Sequence, residues 1–234
     1  MNNLNYINKY KTIQEGWQDQ TQSVFSSMEV GYKDMLYLTA TGRTDWASQL
    51  AFSDQSSFFY PSVGLSAVVS NMTKLPSFVN FLKVRASYSK VASAFSRYLS
   101  NPSYEFNTQS HTWTKSNVAP LAHMKPEDTK SWELGVNAKF LHNTINLDLT
   151  LYRSNTYHQT IYGKTSSSSL YSSQIVQSGN VQNQGIELAL GFNKTFGNVD
   201  VSSTLTYTLN QNKIIRLSDA SVNKKGVPEI QKDY

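Results

Sequence analysis

Across 234 residues and a formal net charge of +5, the chain carries no cysteine; 16% of its residues are charged and 12% are aromatic. This length fits a single domain or a large piece of one, the lack of cysteine excludes disulfides and thiolate metal sites, and the aromatic-rich, charge-poor balance favours β-structure over disorder. Lysine and arginine are scattered, with no basic cluster or reading helix, so nucleic acid is not an expected partner, and no run of about 18 apolar residues is present to cross a membrane as a helix.

Residues 1–19 form a polar lead-in whose opening, "MNNLNYINKYK", lacks the basic start and apolar core of a signal peptide. From there to residue 215 the chain reads as strands, because apolar side chains recur at every second position and therefore share a face. "SVFSSMEVGY" sets Met28, Val30 and Tyr32 against Ser27, Glu29 and Gly31, and "KD" turns it into "MLYLTATGRTDW". "FFYPSVGLSAVV" sets Val63, Leu65, Ala67 and Val69 apart from Ser62, Gly64 and Ser66; Pro61 lacks a ladder donor, so regular pairing is predicted to start after it. "FLKVRASYSK" follows, with Leu82, Val84, Ala86 and Tyr88 on one side.

In "KPEDTKSWELGVNAKF", Trp132, Leu134, Val136, Ala138 and Phe140 alternate with Glu133, Gly135, Asn137 and Lys139. Pro126 fixes its own φ and disfavours helix at Lys125, so "KPE" predicts the descent from a loop into a strand. Ile145 to Leu151, Ile186 to Phe192 and Val199 to Leu209 repeat the alternation. About eight strands of roughly ten residues result, longer than the globular mean of about five or six.

The predicted connections alternate as well. Short links fall near 33–34, 142–143 and 196–198 and a moderate one near 70–80, whereas long ones fall at 48–57, 91–129, 162–179 and from 216 to 234, where a further loop is expected to start. Short turns at one end and long loops at the other are the arrangement of an outer-membrane β-barrel. The apolar face would then meet lipid and the polar face an aqueous lumen, with Phe58, Phe59, Tyr60, Trp132 and Phe140 at strand ends as interfacial aromatics. A soluble β-sandwich that binds carbohydrate or acts as an adhesin is the alternative. Each unpaired edge N–H or C=O costs several kcal/mol in hydrocarbon, so an open eight-stranded sheet loses tens of kcal/mol at its two edges. The sheet must therefore either close as a minimal barrel or form an arc of a larger one, and the loop of nearly forty residues after the fourth strand, large for a minimal barrel, favours the arc.

"YLTATGRTDWAS", "SFFYPSVGLSAVVS", "LKVRASYSKV", "KPEDTKSWELGVNAKFLHNTINLDLTLYRSNT" and "SGNVQNQGIELAL", in this order, resemble consecutive blocks of the SusC/RagA-type TonB-linked outer membrane proteins. The resemblance covers about residues 20–215. It implies an all-β, antiparallel up-and-down wall within a 22-stranded barrel, in the outer membrane of a Gram-negative bacterium. It further implies import of glycan or peptide fragments under a SusD-like lipoprotein cap, with energy supplied by the TonB complex through an N-terminal part. No plug, TonB box or final barrel strand is recognisable, so the chain alone is not expected to transport. The blocks single out Pro126, Glu127, Trp132, Glu133, Gly135, Gly179, Asn180, Gly185 and Glu187 as structural positions. Gly179 and Gly185 fit bends or close approaches, and Glu133 and Glu187 fit ion pairs across a lumen.

Catalytic motifs are missing: there is no HExxH, GxGxxG, P-loop or GxSxG, and His111, His123, His142 and His158 lie apart. No enzyme activity, catalytic residue, metal or cofactor is expected. The candidate ligand contacts are Tyr98, Tyr104, Phe106 and Trp113 of the long loop, where rings among Asn, Ser, Thr and Gln suit stacking and hydrogen bonding to a sugar or peptide.

Overall fold

A computed structural model describes residues 18–216, apart from 52, 54, 97, 98, 100–103, 108, 109, 122, 167 and 178, together with 221–222 and 228–229. Most of the lead-in, most of the tail after Arg216, and Tyr98 lie outside the described residues. In chain order the strands are β1 (Thr21–Tyr32), β2 (Leu36–Ala47), β3 (Ser57–Val68), β4 (Val79–Ser93), β5 (Tyr104–Asn107), β6 (Thr112–Lys115), β7 (Val118–Ala119), β8 (Glu127–Phe140), β9 (Ile145–Tyr157), β10 (Thr160–Lys164), β11 (Ser173–Gln177), β12 (Asn180–Phe196) and β13 (Val199–Arg216). The eight long strands form one antiparallel sheet in the order β1-β2-β3-β4-β8-β9-β12-β13, a meander in which each strand pairs with the next long strand along the chain.

Register turns the sequence alternation into rows across the sheet. Leu38, Leu65, Ala86, Leu134, Leu151, Ile186 and Leu209 stand side by side on successive strands, and the neighbouring row is Leu36, Ala67, Val84, Val136, Leu149, Leu188 and Tyr207. Nothing among the described residues covers these rows: Leu134 is 58% exposed, and Leu38, Leu65, Leu151, Leu209 and Tyr207 are exposed too. A sandwich would bury this face beneath a second sheet, so the sandwich alternative fails. From the row of Phe140 to that of Trp132 the apolar band spans nine residues, roughly 27 Å along a strand. At a tilt near 40° that is about 21 Å of height, close to the apolar belt of a transmembrane barrel.

Tight turns join the strands at one end. Lys33 (φ 49°) and Asp34 (φ 53°) occupy the left-handed region in the three-residue link between β1 and β2, which the Met35 N–H closes onto Tyr32 O at 2.9 Å. Leu141, His142 and Asn143 are all left-handed between β8 and β9, and the Asn80 side chain of a bulge in β4 accepts the His142 N–H at 2.7 Å. Gly197 serves the β12–β13 turn with φ 62°. The moderate link carries a single helical turn, Val69–Met72.

At the other end the long connections hold structure of their own. The loop placed at 91–129 in the sequence is narrower, because β4 continues to Ser93 and β8 starts at Glu127, and β5, β6 and β7 lie within it. Pro61 also departs from expectation: β3 pairs with β2 on both sides of it, from Trp46↔Ser57 to Leu36↔Ala67, whereas pairing with β4 begins only at Ser62↔Ser89. Its missing N–H sits where the β3–β4 ladder ends. The aromatic belt needs correction as well. Phe58 is 6% exposed in a cluster with Leu50, Ala92, Phe95, Met124 and Ile175, and the Tyr60 hydroxyl donates to Asp45 Oδ2 at 2.8 Å on the polar face. Phe59 and Trp132 remain exposed on the apolar side.

Candidate functional site

The aromatic residues of the long loop come together because a short hairpin puts alternate positions on one face. β5 and β6 pair Tyr104 with Lys115 and Phe106 with Trp113, so all four side chains share that face. The Phe106 and Trp113 rings lie 5.1 Å apart between centroids, tilted by 53°, and His111 meets Phe106 edge-on at 6.4 Å. Asn107 Oδ1 closes the hairpin by accepting the Ser110 N–H at 3.1 Å. Trp113 is 68% exposed and Tyr104 58%, which leaves an open aromatic strip where ring faces are free to stack. Lys115 extends it. Its ammonium sits 4.2 Å from the Tyr171 ring centroid, and its hydrogen bond to Tyr171 holds its pKa above the ordinary lysine value. Three of the four candidate contacts are thus assembled, and Tyr98 is outside the described residues.

The loops stand on a shared base. Leu50, Phe58, Ala92, Phe95, Met124 and Ile175 are buried together, so the connections after β2, β4 and β9 and the upper ends of β3 and β4 meet in one apolar cluster. β11 pairs with β10 on one edge and with β7 on the other. Gln177 ties the loops further: its amide nitrogen donates to Lys125 O at 2.6 Å and His158 O at 3.1 Å, and its Oε1 accepts the Lys125 N–H at 3.0 Å. Pro126 is buried directly before β8 and Glu127 is the strand's first residue, pairing with Ser93.

The opposite face of the sheet from the leucine rows is polar. Arg85 projects there across Gly135, where an added Cβ would lie 2.6 Å from the Arg85 Cζ. Its Nη1 donates to Asn137 Oδ1 at 2.6 Å, and its Nη2 to Thr150 Oγ1 at 2.6 Å and Asp148 Oδ1 at 3.3 Å. A second cluster joins Arg43, Asp45, Tyr60 and Ser23. Gly185 is a close approach of the kind its position suggested, since its Cβ would stand 2.5 Å from the Tyr152 hydroxyl, and Gly179 makes room for Arg216. Asn180 Oδ1 accepts a hydrogen bond from Asn155 at 2.8 Å beside a register shift at the start of β12. Glu133, opposite Ser87, and Glu187, opposite Thr150, lie on this face, exposed and with no side-chain hydrogen bond or ion pair among the described residues. Trp132, in contrast, stands on the apolar face against Tyr88, ring centroids 4.5 Å apart.

Sequence reading missed Lys115, Tyr171 and Arg85. Arg85 carried a signal, being a cation on the polar side of a strand opposite a glycine. Lys115 and Tyr171 come from different loops, and no local pattern joins them.

Long strands with an uncovered apolar face, a polar reverse face, tight turns at one end and structured loops at the other define an outer-membrane β-barrel wall. The family model "TonB dependent receptor-like, beta-barrel" matches residues 2–234, and the chain belongs to that family of outer-membrane proteins of Gram-negative bacteria. It is 28% identical over 208 residues to TonB-dependent receptor P26 of Formosa agariphila, covering 85% of this chain and 21% of that receptor. Among solved structures it resembles the RagAB peptide transporter (TM-score 0.75, 19% identity, 86% of this chain, 23% of that one). It also resembles the siderophore receptor PirA of Pseudomonas aeruginosa (TM-score 0.54, 18% identity, 82% of this chain, 32% of that one). The chain spans about a fifth of the curated relative, and the resemblance to SusC/RagA-type barrels read from the sequence is borne out.

Proposed function

We propose that this chain forms part of the wall of an active outer-membrane importer of glycan or peptide fragments, acting with a SusD-like lipoprotein cap and drawing energy from the TonB complex. The observation that carries this reading is the aromatic strip of Tyr104, Phe106 and Trp113 on the same end of the sheet as the other long loops, above a polar wall built for an aqueous passage. Stacking of a sugar ring or peptide side chain on an exposed aromatic contributes roughly 0.5–1.5 kcal/mol beyond area burial. Replacing Tyr104, Phe106 and Trp113 together by alanine in the complete transporter should therefore lower uptake of a fluorescently labelled oligosaccharide or peptide by about tenfold or more at limiting concentration. Unchanged uptake of every cargo that the wild type imports would overturn the role of the strip.

A further inference from the structure

The outer end of the apolar face carries a basic step that the uptake reading leaves unused. Above the row of Ala86, Leu134, Leu151, Ile186 and Leu209 comes a row of Tyr88, Trp132, Arg153, Gln184 and Gln211, and above that Lys90, Lys130, Asn155, Gln182 and Lys213. Lys90 and Lys130 face each other directly across the β4–β8 ladder, a like-charge pairing that destabilises a sheet unless something anionic lies between. Because β3 leaves β4 beyond Pro61, a cleft of about 270 Å³ opens there, bordered by Phe59, Lys90, Lys125, Lys130, Tyr157 and His158. The opposing charge in it is Asp128, which lies 4.0 Å from Lys130 Nζ and 2.9 Å from His158 Nδ1.

One row lower, a second cleft of about 340 Å³ is lined by Trp132, Leu134, Leu151, Ile186, Leu209 and Arg153. Arg153 directs both Nε (3.2 Å) and Nη2 (3.0 Å) at Gln184 Oε1, which fixes its guanidinium at the upper edge of this apolar groove. Three lysines and an arginine against one carboxylate, stacked over an apolar channel at the height of the interfacial aromatics, match a molecule that is anionic at its head and hydrocarbon below.

We propose that the two clefts bind one phosphorylated, multiply acylated lipid of the outer leaflet, its phosphate between Lys90 and Lys130 and an acyl chain along Leu134, Leu151, Ile186 and Leu209. Arg153 holds the junction. This rests on the barrel reading, in which the long-loop end faces outward.

The test uses the complete protein, stripped of lipid in detergent and placed in phosphatidylethanolamine nanodiscs with a small fraction of lipid A. Native mass spectrometry should show a retained lipid A adduct for the wild type and for Lys33→Gln at the opposite end of the sheet. The triple variant Lys90→Gln, Lys130→Gln, Arg153→Gln should hold it about tenfold more weakly. Where the triple variant loses the heat-modifiable gel mobility of a folded barrel, the single variants Lys90→Gln and Lys130→Gln supply the comparison, each with a smaller loss. Excess inorganic phosphate should fail to displace the adduct. Retention equal to wild type in the variants, or displacement by phosphate alone, overturns the lipid site while leaving the barrel standing; failure of the wild type to enter nanodiscs overturns the barrel reading instead.

Discussion

Arg85 shows how one side chain depends on the absence of another. Its guanidinium reaches Asn137, Asp148 and Thr150 only because Gly135, directly opposite on β8, leaves the space that it crosses. A planar five-donor fork serves acceptors on two neighbouring strands, which a lysine ammonium does not reproduce. Gly135→Val should drive Arg85 off these acceptors and destabilise the barrel by about 1–3 kcal/mol. The measurement is the temperature at which the complete protein loses its heat-modifiable mobility, and an unchanged midpoint would show that Arg85 contributes nothing there. Tyr152 over Gly185 repeats the device on the same polar face.

Among the elements, the tight turns carry local strain that their residues do not relieve. Asp34 sits at φ 53° with an ordinary side chain, in a conformation that costs an L-residue about 1–2 kcal/mol and glycine almost nothing. Asp34→Gly should therefore stabilise the barrel by about 1 kcal/mol. Loss of the long Tyr37 hydroxyl contact to Asp34 (3.3 Å) offsets little of that. A lowered midpoint in the same heat-modifiability assay would contradict it. The long strands were legible because lipid on one side and water on the other write a strict period of two into every segment from Met28 to Leu209. The loop elements were not. β5 and β6 are four residues each, too short for a period to emerge, and the cluster of Leu50, Phe58, Met124 and Ile175 is drawn from positions distant in sequence. Phe58 and Tyr60 looked like belt aromatics because they adjoin Phe59, yet adjacent strand residues point to opposite faces.

For the whole molecule, the decisive physical fact is the medium on each side of the sheet. Val136 lies mid-band in a row of Leu, Val, Ala and Tyr, whereas Thr206, on β13, lies in a polar row with Ala189, Asp148 and Asn137. Val136→Arg should cost roughly 2–4 kcal/mol and Thr206→Arg should be nearly neutral. Comparing the urea midpoints of the two variants in lipid vesicles checks this, and equal midpoints would mean that the leucine rows do not face hydrocarbon.

The buried cluster at the loop base has a consequence for how such proteins diversify. Because Leu50, the pair Phe95 and Met124, and Ile175 come from three separate connections but interlock, a genetic exchange of residues 94–126 alone would strand Leu50 and Ile175 against unmatched partners. Viable recombinants should then carry these three connections from one parent, inherited as a block while the strands beneath drift independently.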